Sequence, residues 1–379
     1  MATVLVLGGG IGGVAAAISL SKRLSKDDKI TLVDRREFFY FGFRKTWAFL
    51  RSSPMGEGMR PLKSLDGHGI EVRRGTIESI DPATRSAVVD GERLKSDAMI
   101  VALGAQWKAE TMPGLKEYGL NFFDALSLDH TAARLAAFEG GRVAIVIPSL
   151  PYPCGPAPYE AALLLKEYFS AKSVEAEIHV YSPKPMSLPV LGEDGCSVLE
   201  GNLSEAGIVF HPMHTVELIE EHKVRFETSV DPYDLLIGIP GHVCPQVVLD
   251  SGLTDGGAWA KVDPRTLETD YDGVYAVGDV VSITLADGKP LPKAGVFAEA
   301  HAKVAVERIA SRLAGETPTA TYDGTGYCFL EVGDGKAMLV QGNFLAKPRP
   351  DVQLAEPAAK HLEAKIELER SRLLEWFPS

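Results

Sequence analysis

The sequence has no dense run of lysine and arginine, no uninterrupted hydrophobic segment long enough to cross a membrane, and only four cysteines. Its 51 acidic and 39 basic residues give a net charge of −12, which argues against nucleic acid as a partner. Residues 2–21 carry no charge, but five glycines interrupt them and no basic residue precedes them. They therefore fit neither a transmembrane helix nor a signal peptide. We expect a cytoplasmic protein whose thiols are kept reduced.

The N-terminal segment predicts a strand, a glycine-rich turn, a helix and a second strand. Gly8, Gly10 and Gly13 match the pattern G-x-G-x-x-G, and Gly12 lies in the same turn. The first glycine permits the tight turn, the second lets the backbone approach a pyrophosphate, and the third lets helix and strand pack closely. Asp34 ends the second strand, where a carboxylate accepts hydrogen bonds from the hydroxyls of an adenosine ribose. The sequence therefore predicts a dinucleotide site.

The remaining chain predicts an α/β fold with two Rossmann-like domains, the first of which is split by the second. Residues 70–103 alternate like an antiparallel meander that ends in a buried strand, and a further apolar strand follows at 273–279. We assign residues 1–110 and 246–320 to the first domain and residues 111–245 to the inserted domain. Residues 321–379 predict a C-terminal antiparallel sheet, with strands at 327–332 and 337–344, and a helix at 358–377.

The inserted domain lacks a glycine fingerprint after its first strand. In its place, residues 148–158 contain five prolines, which remove backbone N–H donors and stiffen the chain. Such a loop is the opposite of an N–H cradle for phosphates, so NAD(P)H is not the expected reductant. The loop and the helix after it carry Cys154 and Glu160 instead. A single cysteine is more often an inert buried side chain than a reactive one.

These motifs, with the segments GVYAVGD (273–279) and GYCFLEVGDG (326–335), resemble the sulfide:quinone oxidoreductases and the flavoprotein subunit of flavocytochrome c sulfide dehydrogenase. The resemblance covers nearly the whole chain and implies two-dinucleotide-fold flavoproteins that use FAD. Residues 38–50 contain no cysteine for a covalent link, so we expect non-covalent FAD. The cofactor-binding residues that the resemblance implies are Gly8, Gly10, Gly12, Gly13, Asp34, Arg35, Ile77, Ala102, Gly104, Gly278, Asp279, Lys293, Ala294 and Gly295.

The resemblance also implies the chemistry. Cys154 and Cys328 match two cysteines that flank the flavin as a redox-active pair; sulfide attacks their disulfide, and one cysteine becomes a persulfide. Glu160 is the implied proton acceptor. Phe329 and Phe344 match aromatic side chains that contact the quinone, although core packing explains them equally well. Cys196 and Cys244 are interpreted as bystanders, with the loop at 240–245 around Cys244 as a second candidate for facing the flavin. No metal site is predicted.

The last helix places Leu362, Ile366, Leu373 and Phe377 along one apolar stripe, with Lys365 among the charged residues elsewhere. This stripe predicts either a docking face for the sheet or a peripheral contact with the inner face of a membrane. Three other functions stay open: a flavin subunit that donates electrons to a haem protein, a type II NADH:quinone oxidoreductase, and a flavin-binding subunit without turnover. The sequence does not fix the sulfur acceptor, the quinone, or whether the chain forms a homo-oligomer.

Overall fold

The computed structural model describes residues 1–377. Its strands are β1 (Thr3–Leu7), β2 (Lys29–Asp34), β3 (Phe38–Phe39), β4 (Arg60–Pro61), β5 (Ile70–Arg74), β6 (Ile77–Asp81), β7 (Ser86–Val89), β8 (Glu92–Lys95), β9 (Ala98–Val101), β10 (Gln106–Lys108), β11 (Gly141–Val146), β12 (Ala176–Tyr181), β13 (Val209–His211), β14 (Val216–Glu220), β15 (Lys223–Phe226), β16 (Val230–Pro232), β17 (Leu235–Gly238), β18 (Gly241–Val243), β19 (Val274–Ala276), β20 (Thr325–Gly333), β21 (Lys336–Asn343) and β22 (Asp351–Ala358). Its α-helices are α1 (Ile11–Arg23), α2 (Arg44–Phe49), α3 (Met55–Gly58), α4 (Leu115–Tyr118), α5 (Leu128–Ala136), α6 (Ala157–Ala171), α7 (Gly192–Glu205), α8 (Gln246–Leu249), α9 (Gly295–Leu313) and α10 (Ala359–Trp376).

A parallel five-stranded sheet in the order β19-β9-β1-β2-β5 forms the first layer of the fold. Its central strands are apolar along nearly their whole length, because a parallel sheet is covered on both faces. Strand β19 returns to this sheet from far along the chain and pairs with β9, with Val274 opposite Met99. That topology agrees with a split first domain, whose boundaries stay predictions.

The meander expected over residues 70–103 is wrong in its first strand. Strand β5 pairs in parallel with β2, Ile70 opposite Ile30, and is the edge of the first sheet. Only β6, β7 and β8 form an antiparallel meander. An edge strand of a parallel sheet keeps one exposed side, so its hydrophobic alternation resembles that of an antiparallel strand.

The inserted region contains a second parallel sheet in the order β13-β12-β11-β17. An antiparallel sheet, β14-β15-β16, contributes Val216, Val224 and Phe226 to a second hydrophobic cluster that includes Tyr181 of β12. Helix α6 follows β11 through the proline-rich loop and packs against both β12 and β20. Helix α6 therefore lies between the inserted sheet and the C-terminal sheet.

The C-terminal segment is an antiparallel sheet, β20-β21-β22, followed by α10. The third strand, β22, was not predicted. The predicted apolar stripe on α10 is wrong in its first half: Ile366 is 48% exposed, and Leu362 is only partly buried. Leu373 and Phe377 are buried as expected. The residues of α10 that are buried are His361, Lys365, Glu369, Leu373 and Trp376.

The buried face of α10 differs from the predicted apolar stripe because charged side chains of this helix form ion pairs in the interior. Lys365 and Glu369, one helical turn apart, form buried ion pairs with residues of other elements. A hydrophobicity pattern assigns such residues to the solvent face. Among the helices within residues 1–377, none combines the length and hydropathy needed to cross a membrane.

Candidate active site

The carboxyl ends of β1, β9 and β19 meet at one edge of the first sheet. Gly8 has a φ of +109°, and a Cβ there would lie 2.4 Å from the carbonyl oxygen of Ala102, just after β9. A Cβ on Gly13 would lie 1.7 Å from the carbonyl oxygen of Gly8. The chain crosses itself here at distances that only glycine allows. Gly104, with a φ of +64°, has no atom within 4 Å of a virtual Cβ, so its surroundings are open.

Two helix N-termini converge at the same edge. Gly10 is the N-cap of α1 and supplies no side-chain cap, and Gly12 lies in the first turn. Helix α9 begins at Gly295, capped by Ala294, and a Cβ on Gly295 would lie 2.3 Å from Cδ1 of Ile11 at the start of α1. Helix N-termini present unpaired N–H groups and a positive dipole end, so this edge suits an anionic group.

Asp34 is held by its neighbours at the end of β2. Its Oδ2 accepts a 2.5 Å hydrogen bond from the N–H of Gly9, and Arg36 donates to both carboxylate oxygens. Burial alone would raise the pKa of Asp34, but the charge and hydrogen bonds of Arg36 keep it below its usual value. Arg35, which was predicted to bind the cofactor, is exposed and lies next to the arginine that makes the contact.

Ile77 is linked to the end of β2 by a backbone hydrogen bond two residues before it. The N–H of Gly75 donates to the carbonyl oxygen of Asp34 at 3.0 Å, and β6 begins two residues later at Ile77. Ile77 therefore lies two residues from a backbone contact with Asp34, and its role in binding the cofactor stays a prediction.

Two lysines act on Asp279, which follows Gly278 (φ +76°) at the end of β19. Lys293 Nζ donates to the carbonyl oxygens of Asp279 at 2.5 Å and Val281 at 2.9 Å. Burial raises the pKa of Asp279, and the charges of Lys293 and Lys45 oppose that rise. Burial also lowers the pKa of each lysine to about 8, so both remain mostly protonated at neutral pH.

Cys154 and Cys328 are brought together by the loop before α6 and by β20. Both are free thiols, and they lie close enough for each to change the pKa of the other. That contact, with burial, raises the pKa of Cys154 well above its ordinary value, and the same contact lowers the pKa of Cys328 against the effect of burial. Cys154 has a φ of +49°, which a non-glycine residue rarely adopts. Strain of this kind concentrates at functional sites.

Glu160 lies in the first turn of α6, is 4% exposed, and influences both thiols electrostatically. Its carboxylate contacts Lys365 of α10 and accepts a 2.9 Å hydrogen bond from the N–H of Glu331 in β20. Burial raises the pKa of Glu160, Lys365 lowers it, and Glu331 raises it again. The net direction is upward, which makes this carboxylate a better proton acceptor than an exposed glutamate.

The backbones of Phe329 and Phe344, the residues predicted to contact the quinone, lie apart in the structure. Phe329 is partly exposed beside Tyr327, with ring centroids 5.6 Å apart. Phe344 is buried against Phe297 of α9 at 4.9 Å, and its N–H bonds to Gly324, five residues along the chain from Phe329. At about 3.3 Å per residue, that separation is about 17 Å.

The other two cysteines differ in their surroundings. Cys196 is buried in α7, and Cys244 is buried beyond β18, where burial raises its pKa to about 11 in spite of Lys293 nearby. The loop at 240–245 contacts the cysteine loop, because the N–H of His242 donates to the carbonyl oxygen of Pro151 at 2.8 Å. Neither of these two thiols takes part in the Cys154–Cys328 contact.

Several residues of the site were missed from the sequence: Arg36, Lys45, Glu331 and Lys365. A usable signal existed for Lys45, since it is one of two cations within an aromatic segment, FFYFGFRKTWAFL at 38–50. For Lys365 the signal was polar residues recurring every fourth position, at His361, Lys365 and Glu369. Glu331 gave none, because one glutamate in a short strand is ordinary.

Known proteins resemble this chain over most of its length. The family model described as pyridine nucleotide-disulphide oxidoreductase matches residues 2–306. The mitochondrial sulfide:quinone oxidoreductase of Mus musculus is 22% identical over 362 residues, covering 91% of this chain and 79% of the relative. The sulfide-quinone reductase of Aquifex aeolicus is 26% identical over 339 residues, covering 81% and 75%. The X-ray structure of the Aquifex aeolicus sulfide:quinone oxidoreductase superimposes with a TM-score of 0.90 at 23% identity, covering 99% of this chain and 91% of that one.

Proposed function

Because this chain belongs to the pyridine nucleotide-disulphide oxidoreductase family, we propose that it oxidises sulfide with FAD and passes the electrons to a quinone. The observation that carries the proposal is the contact between Cys154 and Cys328, two thiols from distant segments that meet beside a buried carboxylate. The relatives named for sulfide and quinone support the choice of substrates.

The residues at the carboxyl edge of the first sheet fit FAD. A Cβ on Gly10 would meet only Nη2 of Arg36, at 3.8 Å, so a pyrophosphate has room to approach the α1 N-terminus. Lys293, Asp279 and the α9 N-terminus provide the donors and charges for the flavin end. When bound, FAD supplies a two-electron acceptor between a thiolate and a quinone.

The cysteines carry the sulfur chemistry. Attack of hydrogen sulfide on their disulfide breaks the bond between the two cysteine sulfurs and forms a new one to the incoming sulfur. The products are a persulfide on one cysteine, a thiolate on the other and one proton, which Glu160 takes. A thiol or sulfide nucleophile then removes the outer sulfur of the persulfide. The two thiolates that remain would close the disulfide again, and bound FAD would supply the two-electron acceptor that this oxidation requires.

If the quinone is dissolved in a membrane, the protein must contact the membrane surface to reach it. The outer face of α10 exposes Ile366 at 48% and Leu374 at 59%. We propose that this face makes the peripheral contact, and that replacing both residues by glutamate releases the protein from quinone-containing vesicles in a flotation assay. Unchanged flotation of the double variant would remove α10 from the proposal.

Anaerobic titration with sulfide tests the function. We expect bleaching of the flavin by sulfide and rapid reoxidation by a soluble quinone. Cys154→Ser and Cys328→Ser should each abolish bleaching while FAD stays bound, because both thiols act before the cofactor. Cys196→Ser is the matched control, a buried cysteine outside the pair, and should bleach normally. Bleaching without reoxidation by quinone would favour donation to a haem protein, and normal bleaching in both active-site variants would refute the role of the pair.

A further inference from the structure

Three charged side chains from different elements meet in the interior beside the cysteine pair. Glu160 of α6, Glu331 of β20 and Lys365 of α10 are 4%, 6% and 2% exposed. Lys365 Nζ lies 3.1 and 3.0 Å from the two carboxylate oxygens of Glu160 and 2.6 Å from Oε1 of Glu331. One ammonium thus bridges two carboxylates, and the cluster carries one negative charge in excess when all three are ionised.

The surroundings hold this cluster in one arrangement. The indole Nε1 of Trp47 donates to Oε1 of Glu331 at 2.6 Å, and the N–H of Glu331 donates to Oε2 of Glu160 at 2.9 Å. The rings of Phe43 and Trp47 lie 5.3 and 5.6 Å from Lys365 Nζ. Burying three charges is costly, and apolar side chains of similar volume often stabilise a core as well. Stability therefore gives a poor reason for this cluster.

The charged groups around Glu160 come from every element that packs on it. The thiols of Cys154 and Cys328 lie on one side, and both sense the charges of Glu160 and Lys365. One turn farther along α10, Glu369 pairs with Arg44 of α2, whose guanidinium lies 4.8 Å from the Trp47 ring. The C-terminal helix therefore supplies the cation that lies between the carboxylates of Glu160 and Glu331.

We propose that Lys365 and Glu331 are positioning residues that set the protonation state of Glu160, so that the C-terminal helix completes the proton-accepting site of the cysteine pair. This inference rests on the proposed sulfide oxidation. Glu160 must be ionised before it can take the proton released when hydrogen sulfide opens the disulfide. Lys365 favours that ionised form, and Glu331 opposes it. The two neighbours therefore act in opposite directions on one carboxyl group.

The opposite signs provide the test. Lys365→Met removes the cation, so the pKa of Glu160 should rise by about one to three units, the usual effect of a close opposite charge. Glu331→Gln keeps an oxygen for Trp47 but removes the competing negative charge, so the pKa of Glu160 should fall by about one unit. Lys365→Arg should restore a value near that of the wild type. Arg370→Met, which removes an exposed cation from the same helix, should change nothing.

The pKa of Glu160 is measured on the oxidised, FAD-bound protein by pH titration of the infrared band of its protonated carboxyl group, identified by its loss in Glu160→Gln. The acid limb of sulfide-dependent flavin reduction, followed by stopped flow, should move with the band. A merely structural cluster would change stability without moving the titration in opposite directions. If Lys365→Met does not fold, the downward shift of the Glu160 pKa in Glu331→Gln still tests whether these neighbours control its protonation.

Two results would overturn the inference: a Glu160 titration that stays in place or moves the same way in both variants, or an acid limb that ignores a moving band. If the infrared band of Glu160 moves as expected but sulfide reduces the flavin neither in the wild type nor in any variant, the proposed substrate is wrong. The control of the Glu160 pKa by Lys365 and Glu331 then still stands. The infrared titration therefore separates the two failures.

Discussion

Removing one active-site thiol should shift the pKa of the thiol that remains, and the direction of the shift should depend on which of the two is removed. In the reduced protein the close approach of the two thiols lowers the pKa of Cys328 and raises that of Cys154. Cys154→Ala takes away the donor that stabilises the Cys328 thiolate, so the pKa of Cys328 should rise. Cys328→Ala takes away the hydrogen bond and the negative charge that oppose ionisation of Cys154, so the pKa of Cys154 should fall.

The size of the shifts follows from the strength of one charge-assisted hydrogen bond. Such a bond contributes about 1.5 to 3 kcal/mol, and one pKa unit corresponds to about 1.4 kcal/mol. Each shift should therefore be about one to two units. Cys154 should still titrate above an ordinary cysteine in the Cys328→Ala variant, because burial and Glu160 continue to disfavour its thiolate.

The assay is alkylation by iodoacetamide across a pH series, with each cysteine quantified by mass spectrometry. Cys196 and Cys244 serve as internal references, since burial raises the pKa of both and neither contacts the pair. If the alkylation midpoint of Cys154, and likewise that of Cys328, is the same in the wild type and in the variant that lacks the other thiol, the contact between the thiols is contradicted. The mechanism that depends on this contact would then be wrong.

Acid denaturation should release all of the flavin, because residues 38–50 offer no cysteine for a covalent link; a yellow precipitate would contradict this. Glu369→Ala leaves the buried guanidinium of Arg44 without its main partner and should lower the free energy of unfolding by about 3 kcal/mol. Glu375→Ala, which removes an exposed ion pair with Lys22, should cost less than about 1 kcal/mol, and urea denaturation compares the two. Oxidation of NADH or NADPH should be negligible next to that of sulfide, and comparable steady-state rates would restore the type II NADH:quinone oxidoreductase.

Local patterns were enough for β1, α1 and β2 of the first sheet and for the glycine turn between them. Gly8 and Gly13 were assigned to tight turning and close packing, and the structure has the contacts that require both. The strand before the proline-rich loop and the helix that carries Glu160 were also expected. These features depend on residues within one or two adjacent elements, where periodicity and turn chemistry act directly.

Features that depend on long-range pairing were beyond the sequence. The sequence pattern assigns Lys365 to the solvent-facing side of its helix. Its buried partners, Glu160 and Glu331, belong to elements far away along the chain and cannot be identified from local sequence. Arg36 and Arg35 are neighbours with the same chemistry, and only the backbone direction after β2 decides which one reaches Asp34. Phe329 lies within β20 and Phe344 directly after β21, and the pairing of these strands places Phe344 beside Gly324, five residues from Phe329.

The first turn of α6 gives a physical reason to expect thiol chemistry instead of dinucleotide binding in the inserted domain. A pyrophosphate at a helix N-terminus needs free N–H groups, but here they are absent or used within the chain. Pro158 has none, the N–H of Ala157 donates to the carbonyl oxygen of Cys154 at 2.9 Å, and those of Tyr159 and Glu160 donate to that of Pro156 at 3.1 and 2.9 Å. The carboxylate of Glu160 occupies the same turn and would repel a phosphate. The dipole that would hold a pyrophosphate instead favours the ionised form of Glu160 beside the thiols.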